Sequence, residues 1–221
     1  MCGRFVLHHG AASLWETLEI RAMRPGLLPR FNIAPTQPVA VVLQEQDRVL
    51  DFFKWGLIPF WAKDPKIGQR MINARAETIS EKPAFRAAFK RRRCLIPASG
   101  YYEWQKTPDG KIPHYVHLSD DRPITLAGLW EEWISPEEEI VRTCTIITTE
   151  ANDFTAPIHH RMPVILDASG QSTWLDPSRE DPKDLSPLLI PYPGGDLKTH
   201  PVSTRVNNAR FEDPSCIEAT L

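Results

Sequence analysis

A cysteine directly follows the initiator methionine in the opening pentapeptide, MCGRF. Because cysteine is small, we expect a methionine aminopeptidase to remove Met1 and leave Cys2 as the N-terminal residue. Its α-amine and its thiol would then form a 1,2-aminothiol. Such a group condenses with an aldehyde to a Schiff base, and the thiol then closes a five-membered thiazolidine ring. The alternative interpretation is a small residue near a frayed chain end, and five residues alone leave both open.

Two further motifs could supply acid–base chemistry. The segment SGYYEW places Glu103 among aromatic residues, and PIHHRMPVIL places His159 and His160 before an apolar run. Desolvation raises the pKa of a carboxylate, which suits it to proton transfer near neutral pH. A histidine also titrates in that range. Taken singly, a Glu in a β-rich chain is usually exposed or salt-bridged, and a lone His is usually structural.

Two other segments could hold or stack a ligand. The segment MINARAET has Asn73, Arg75 and Glu77 at alternate positions, which share one face if the segment is extended. The segment KWGLIPFWAKDP presents three aromatic residues around a proline, which could form a surface for base stacking: Trp55, Phe60 and Trp61. The alternative is that Trp55 and Trp61 belong to the core.

The sequence predicts no metal site and no cofactor. Its four cysteines lie at positions 2, 94, 144 and 216, and no two of them have the short spacing of a zinc clip. The two histidines of HYVH would point to opposite faces of a strand. No Gly-rich phosphate loop, serine nucleophile elbow or zinc motif is present in the sequence.

Charge is unevenly distributed along the chain. The net charge of the chain is −2. Residues 70–93 hold eight basic residues and two acidic ones, Glu77 and Glu81, so this segment carries +6 and the rest of the chain carries −8. The eight are Arg70, Arg75, Lys82, Arg86, Lys90, Arg91, Arg92 and Arg93. This asymmetry indicates either a basic face for a nucleic-acid partner or a solvated helix face, and charge alone does not decide between them.

Many short elements must position these residues, because twenty-one prolines disfavour long helices. Ser13 and Glu16 form a capping-box pattern for one short helix, and Ser80 is predicted to cap a second. Apolar runs around polar turns predict hairpins, one of them at TPDG. The pattern indicates a single α+β domain with a largely antiparallel sheet. Its polar tail, about residues 207–221, is expected to be loosely ordered.

Length and hydropathy point to a soluble protein. The chain has 221 residues, 42% of them hydrophobic, and no run of about 18 apolar residues that would span a membrane. Its start lacks the apolar segment of a secretory signal. We therefore expect the cytosol, or the nucleus of a eukaryotic cell, and no membrane partner.

Six motifs, taken together and in order, resemble the SRAP family of abasic-site processing proteins: MCGRF, NIAPTQ, WGLIPFWAKD, INARAET, CLIPASGYYEW and HHRMPVIL. The resemblance runs from Cys2 to about Val206. It implies a β-barrel-like sheet and a groove for single-stranded DNA containing abasic sites. It also implies that Cys2 joins covalently to the ring-opened aldehyde of the lesion. We expect a monomer that acts within the DNA damage response.

The resemblance also assigns roles by motif position. The implied active-site residues are Cys2, Asn73, Glu103 and His159. The implied contacts to the DNA backbone are Arg4, Arg75, Thr148 and Arg161, and the implied residues around the lesion or a stacked base are Asn32, Pro35 and Trp61. His160 is assigned no chemistry.

The residues support a mechanism and leave rivals open. We expect His159 to assist opening of the sugar, Glu103 to shuttle protons, and nearby cationic side chains to favour the thiolate of Cys2. A Schiff base without the thiol step would give a weak abasic-site lyase. The first rival is an N-terminal-nucleophile hydrolase or a peptidase that removes its own Met1. The second is a passive single-stranded-DNA binding module in which Cys2 is incidental.

Overall fold

The computed structural model describes residues 2–220, and thirteen strands follow one another along them. In chain order, β1 to β13 are Phe5–Leu7, Ile20–Met23, Arg30–Ile33, Pro38–Gln44, Arg48–Trp55, Asn73–Arg75, Arg93–Ala98, Gly100–Thr107, Gly110–Leu118, Ile124–Ile134, Ile140–Glu150, Arg161–Pro163 and Leu197–Pro201. The hairpins predicted from apolar runs around polar turns are confirmed, among them β4–β5, β8–β9 at TPDG, and β10–β11.

Five of the strands close into a barrel. β4 pairs with β5 and β7, β10 pairs with β7 and β11, and all four pairings are antiparallel. β11 then closes the ring by pairing in parallel with β5, where Cys144 lies opposite Trp55. Nearly every residue of β4 and β7 is buried, which is expected of apolar strands that are covered on both faces. The predicted α+β fold with a largely antiparallel, barrel-like sheet is confirmed.

A second sheet lies against the barrel and carries the chain start. Its strand order is β13-β9-β8-β1-β3, and every pairing in it is antiparallel. β7 of the barrel leads directly into β8 through Ser99. Gly100 is required at this junction, because a Cβ there would lie 2.5 Å from the carbonyl oxygen of Val116. The barrel and the second sheet are therefore joined next to the β8 segment that carries Glu103.

Four short α-helices, α1 to α4, span Ala11–Leu18, Arg86–Arg91, Ala168–Leu175 and Pro182–Leu185. The prediction that Ser13 caps the first helix is wrong, because the helix begins at Ala11 and its N-cap is Gly10. The prediction that Ser80 caps the second is also wrong. Residues 78–85 form turns before α2, and Pro83 disfavours helical geometry in the residue before it. No helix in the described range is long and apolar enough to cross a membrane.

The C-terminal segment packs onto the second sheet, contrary to the loose order expected of it. Val202 bridges to Ala219, and Cys216 is fully buried. The Glu212 carboxylate accepts hydrogen bonds from the backbone N–H groups of Phe31 and Asn32 on β3. Short-range polarity suggested a free tail, whereas these partners come from strands far away in the sequence.

Candidate functional site

Cys2 lies buried at the start of β1, beside the strand that carries Glu103. The register pairs Phe5 with Tyr101, and the backbone N–H of Tyr102 donates to the carbonyl oxygen of Arg4 at 3.0 Å. Continuing this antiparallel register brings the chain start alongside Glu103. The Cys2 side chain belongs to the main core cluster and is fully buried. Met1, whose removal the sequence predicts, lies outside the described residues.

Burial raises the pKa of the Cys2 thiol far above its ordinary value, and the Glu103 carboxyl adds to the effect. The expectation that neighbouring cations favour the thiolate is therefore wrong. The guanidinium group of Arg4 is held elsewhere, by Asn32 Oδ1 at 2.7 Å and by the carbonyl oxygen of Val206 at 2.6 Å. The thiol is thus protonated at rest, and its reaction needs a base close by.

Glu103 brings a titratable carboxyl close enough to Cys2 to act on its thiol. It is buried on β8 directly opposite His114 of β9. Desolvation raises the pKa of its carboxyl from 4.5 to about 7, which is the effect that the aromatic motif SGYYEW predicts. At neutral pH the carboxyl is divided between its two protonation states. It can therefore accept a proton and return it within one reaction cycle.

His159 lies on the loop between β11 and β12, and this loop reaches the same strand as Glu103. Gln105 Nε2, two residues beyond Glu103, donates to the carbonyl oxygen of Pro157 at 3.3 Å. The His159 ring stacks on His160 with centroids 4.4 Å apart. Desolvation lowers the pKa of His159 to about 4, so the imidazole is neutral at pH 7.

The neutral ring of His159 has a preferred tautomer. Its Nδ1 lies 3.0 Å from the backbone N of Arg161 and 3.2 Å from the backbone O of the same residue. The shorter contact has the backbone N–H donating to Nδ1, which places the ring proton on Nε2. His159 can therefore donate a hydrogen bond from Nε2 but cannot serve as a resting cation.

Asn73 begins β6, which runs parallel to β11 with Asn73 opposite Ile146. Trp55 connects the start of this strand to β1. Its Nε1 donates to the carbonyl oxygen of Ile72 at 2.8 Å, and its ring packs edge-on against the ring of Phe5, with centroids 5.2 Å apart. Asn73 Nδ2 donates to the carbonyl oxygen of Ile72 at 2.9 Å. Its buried Oδ1 has no hydrogen-bond partner among residues 2–220 and can accept one from a bound group.

Three of the residues predicted to contact DNA are buried in structural roles. Arg161 forms a two-point ion pair with Glu77 at 2.7 and 3.1 Å and donates to the carbonyl oxygen of Thr148 at 2.6 Å. Thr148 is fully buried. Asn32 is also fully buried, and its Nδ2 contacts three carbonyl oxygens of the C-terminal segment. A direct DNA contact would require these side chains to leave their present partners.

The other predicted DNA-binding residues are accessible. Arg75 is exposed at the end of β6, whereas Arg4 and Pro35 are half-buried. Trp61 is 48% exposed and its neighbour Phe60 is 59% exposed, so this aromatic pair is available for stacking. Trp55, weighed as a stacking residue from the sequence, is buried in the core.

The basic segment 70–93 presents fewer free charges than its composition indicates. Arg93 is buried and donates to the carbonyl oxygens of Trp174 and Asp176 at 2.6 and 2.7 Å. Arg92 pairs with Glu131 at 2.8 Å and Arg91 with Glu180 at 3.2 Å. Within residues 2–220, five exposed basic residues of this segment form no ion pair: Arg70, Arg75, Lys82, Arg86 and Lys90.

Sequence reasoning missed the partners that hold the site together. No local pattern indicates that Glu77 pairs with Arg161 or that Glu212 binds β3, since these partners lie 84 and about 180 residues away along the chain. Within residues 2–220, no three His, Cys, Asp or Glu side chains are grouped so that they could hold a metal ion.

Asn32→Ala is expected to destabilise the protein by about 2–3 kcal/mol, because the substitution removes four hydrogen bonds made by a fully buried side chain. The groups affected are Arg4 Nη1 and the carbonyl oxygens of Val206, Asn208 and Phe211. Urea unfolding measures the change, and Gln46→Ala in an exposed turn serves as the control. A variant as stable as the native protein would contradict the structural role of Asn32.

Comparisons with known proteins agree with the fold and with the motifs. The profile of a family described as SOS response associated peptidase (SRAP) matches residues 1–209. The abasic site processing protein YoqW of Bacillus subtilis (strain 168) is 43% identical over 223 residues, covering 99% of this chain and 100% of that protein. The abasic site processing protein HMCES of Xenopus tropicalis is 33% identical over 225 residues, covering 87% of this chain and 67% of that protein.

A solved structure has the same fold. The crystal structure of a protein from Bacteroides thetaiotaomicron superposes with a TM-score of 0.90 at 26% sequence identity, and the superposition covers 100% of both chains. The barrel and the attached sheet are therefore shared over the whole length of the chain.

Proposed function

The chain belongs to the SRAP family, and from this premise we propose that it senses and shields abasic sites in single-stranded DNA by a covalent thiazolidine crosslink through Cys2. The observation that carries the proposal is the position of Cys2 beside Glu103, a buried carboxyl whose pKa is about 7. The names of the relatives indicate which kind of DNA damage is recognised, since YoqW and HMCES are described as abasic site processing proteins.

The first step is attack by the α-amine that Met1 removal would expose on Cys2. An abasic deoxyribose is mostly a closed hemiacetal, and His159 Nε2–H can donate a hydrogen bond to the ring oxygen as the sugar opens. An α-amine has a pKa of about 7.7–8.0, so roughly a tenth of it is neutral and nucleophilic at pH 7. The amine adds to the aldehyde carbon, and loss of one water gives the imine.

The second step is ring closure by the thiol. The sulfur of Cys2 bonds to the imine carbon, the thiol proton passes to Glu103, and the imine nitrogen takes a proton back. No further atom is lost, so the complete reaction releases one water. Because burial keeps the thiol protonated, Glu103 controls the rate of this step. Asn73 Oδ1, a buried acceptor without a hydrogen-bond partner among residues 2–220, would accept a hydrogen bond from the amine or the sugar hydroxyl and so orient it.

Binding of the strand before reaction rests on exposed basic and aromatic side chains. Single-stranded DNA needs neutralisation of its backbone and stacking of its bases, without readout of base edges. The exposed residues of segment 70–93 and the pair Phe60 and Trp61 supply both. Binding should therefore be independent of base sequence and should weaken with salt.

Arg75→Ala is expected to weaken non-covalent binding of an intact single strand several-fold. It should also reduce the dependence of log Kd on log salt concentration by about 0.7, the slope expected for one phosphate contact on a single strand. Fluorescence anisotropy across a salt series measures both. Arg21→Ala, which removes an exposed charge on β2, should change neither value. If the affinity of the native protein for single-stranded DNA did not change with salt concentration, the proposed binding by exposed basic residues would be contradicted.

Intact mass spectrometry tests the proposed function directly. The purified protein is measured alone and after incubation with a single-stranded oligonucleotide treated with uracil glycosylase. The expected product lacks Met1 and gains the mass of the oligonucleotide less one water, without reductant. A retained Met1 or an unchanged mass would contradict the crosslinking proposal.

Peptidase activity is a second candidate function, since the matched family is described as a peptidase. Cys2 as nucleophile and Glu103 as base could cleave the bond after Met1. Expression of Glu103→Gln in a host with methionine aminopeptidase separates the two routes to maturation. Retention of Met1 in this variant would support self-cleavage, and its removal would assign maturation to the aminopeptidase.

A further inference from the structure

The hydroxyl group of Tyr101 lies in the site but has no role in the chemistry described above. Tyr101 is buried on β8, two residues before Glu103, and its Oη has no hydrogen-bond partner among residues 2–220. A buried hydroxyl without a partner destabilises the folded state. Such groups are few in native structures, and a catalytic role is one explanation for them.

Strand geometry directs Tyr101 toward the reacting groups. Residues two apart on a strand project to the same face, so Tyr101 and Glu103 share one face of β8. Across the sheet, Tyr101 is paired with Phe5, three residues after Cys2. Cys2 and Tyr101 also belong to the same buried cluster. The phenol therefore lies on the Glu103 face of β8 and in the buried cluster that contains Cys2.

Electrostatics agree with this placement. The pKa of Tyr101 is raised well above its usual range, by burial first and then by Cys2 and Glu103. The charges of both groups thus act on the phenol, which keeps its proton throughout the neutral pH range. Tyr101 can donate a hydrogen bond in this site but cannot act as a base.

We propose that Tyr101 is a further catalytic residue whose Oη donates a hydrogen bond to the sulfur of Cys2 during closure of the thiazolidine ring. The inference rests on the proposed function. As the thiol gives its proton to Glu103, the developing negative charge on sulfur provides the acceptor that Oη lacks at rest. The S–C bond then forms as the C=N π bond breaks, and the imine nitrogen takes the proton from Glu103. Tyr101 keeps its own proton, so the step is balanced without it.

The adjacent residue offers a matched control. Tyr102 lies on the other face of β8, and its Oη donates to the carbonyl oxygen of Phe31 at 2.7 Å. Tyr101→Phe and Tyr102→Phe each delete one buried oxygen atom. The first deletes a hydroxyl without a partner, whereas the second deletes one that is hydrogen-bonded. We therefore expect Tyr101→Phe to slow the chemistry without loss of stability, and Tyr102→Phe to lose stability without slowing the chemistry.

Single-turnover crosslinking to an abasic oligonucleotide, with borohydride trapping of the imine, tests the inference. Tyr101→Phe is expected to form the imine at the native rate and to close the ring roughly tenfold more slowly, as expected for loss of a hydrogen bond to a charged group. The pH midpoint of closure should stay near 7, because Glu103 sets it, and the urea midpoint should stay the same or rise. Tyr102→Phe should crosslink normally and unfold at lower urea.

Each other outcome counts against the role of Tyr101. Ring closure at the native rate in Tyr101→Phe would overturn the inference and leave the proposed function standing. Slower imine formation together with a lower urea midpoint would indicate a packing defect, which also overturns it. A native protein that forms no covalent product would overturn both the inference and the proposed function.

Discussion

Cys2→Ala is expected to abolish the heat-stable crosslink while preserving attack on the lesion. Alanine is small, so Met1 is still removed and an α-amine is still present to form the imine. Without the sulfur no thiazolidine can close, and the imine hydrolyses or permits β-elimination of the 3′ phosphate. Denaturing gels should show no adduct after heating, an adduct after borohydride treatment, and a cleaved strand that marks weak lyase activity.

Cys216→Ala is the control for loss of a buried thiol. Cys216 packs among the C-terminal residues, with its sulfur 3.8 Å from the carbonyl oxygen of Phe211. This variant should crosslink as the native protein does. A heat-stable adduct from Cys2→Ala would refute the thiazolidine mechanism.

Glu103→Gln is expected to slow crosslinking by about 10²-fold or more, since a positioned acid or base contributes roughly 10²–10⁴-fold. In the native protein the closure rate should rise with pH through about 7, where Glu103 loses its proton. The amide keeps the size of the side chain but cannot exchange a proton. The inflection near pH 7 should therefore disappear, and only that of the α-amine should remain in the single-turnover pH profile.

The same substitution should stabilise the fold at neutral and higher pH. The pKa of Glu103 is about 7 in the folded protein against an ordinary value of 4.5. Below about pH 4.5 the carboxyl is protonated in both states, so the folded state is not penalised there. As the pH rises toward 7 the unfolded chain ionises first, which favours unfolding. Above pH 7, Glu103→Gln should gain at most about 3 kcal/mol, since one pKa unit corresponds to about 1.4 kcal/mol.

Urea unfolding at pH 4.5 and pH 8 measures this gain, which should be small at the lower pH and largest at the higher. Glu45→Gln, in the exposed β4–β5 turn, should change neither stability nor crosslinking. A Glu103→Gln protein that crosslinks at the native rate would remove Glu103 from the mechanism.

Local patterns predicted those parts of the molecule that depend on nearby residues. Alternating apolar runs around turn residues predicted the hairpins, and aromatic neighbours predicted the raised pKa of Glu103. Closure of the barrel had no local signal, because β5 and β11 pair across about 90 residues of sequence. The burial of Asn32 and Arg161 depends on carbonyl and carboxylate groups supplied by distant segments. A polar residue at a motif position does not reveal whether those partners exist.

The hydrogen bond between Arg4 and Val206 joins residues 202 positions apart. It can therefore form only late in the synthesis of the chain. At a synthesis rate of about 5–20 residues per second, the N-terminus exists for roughly 10–40 s before its partner is made. Throughout that interval the Arg4 guanidinium lacks the Val206 carbonyl oxygen that it contacts in the finished protein. The contact that ties the chain start to the C-terminal segment therefore forms only when the nascent chain is nearly complete.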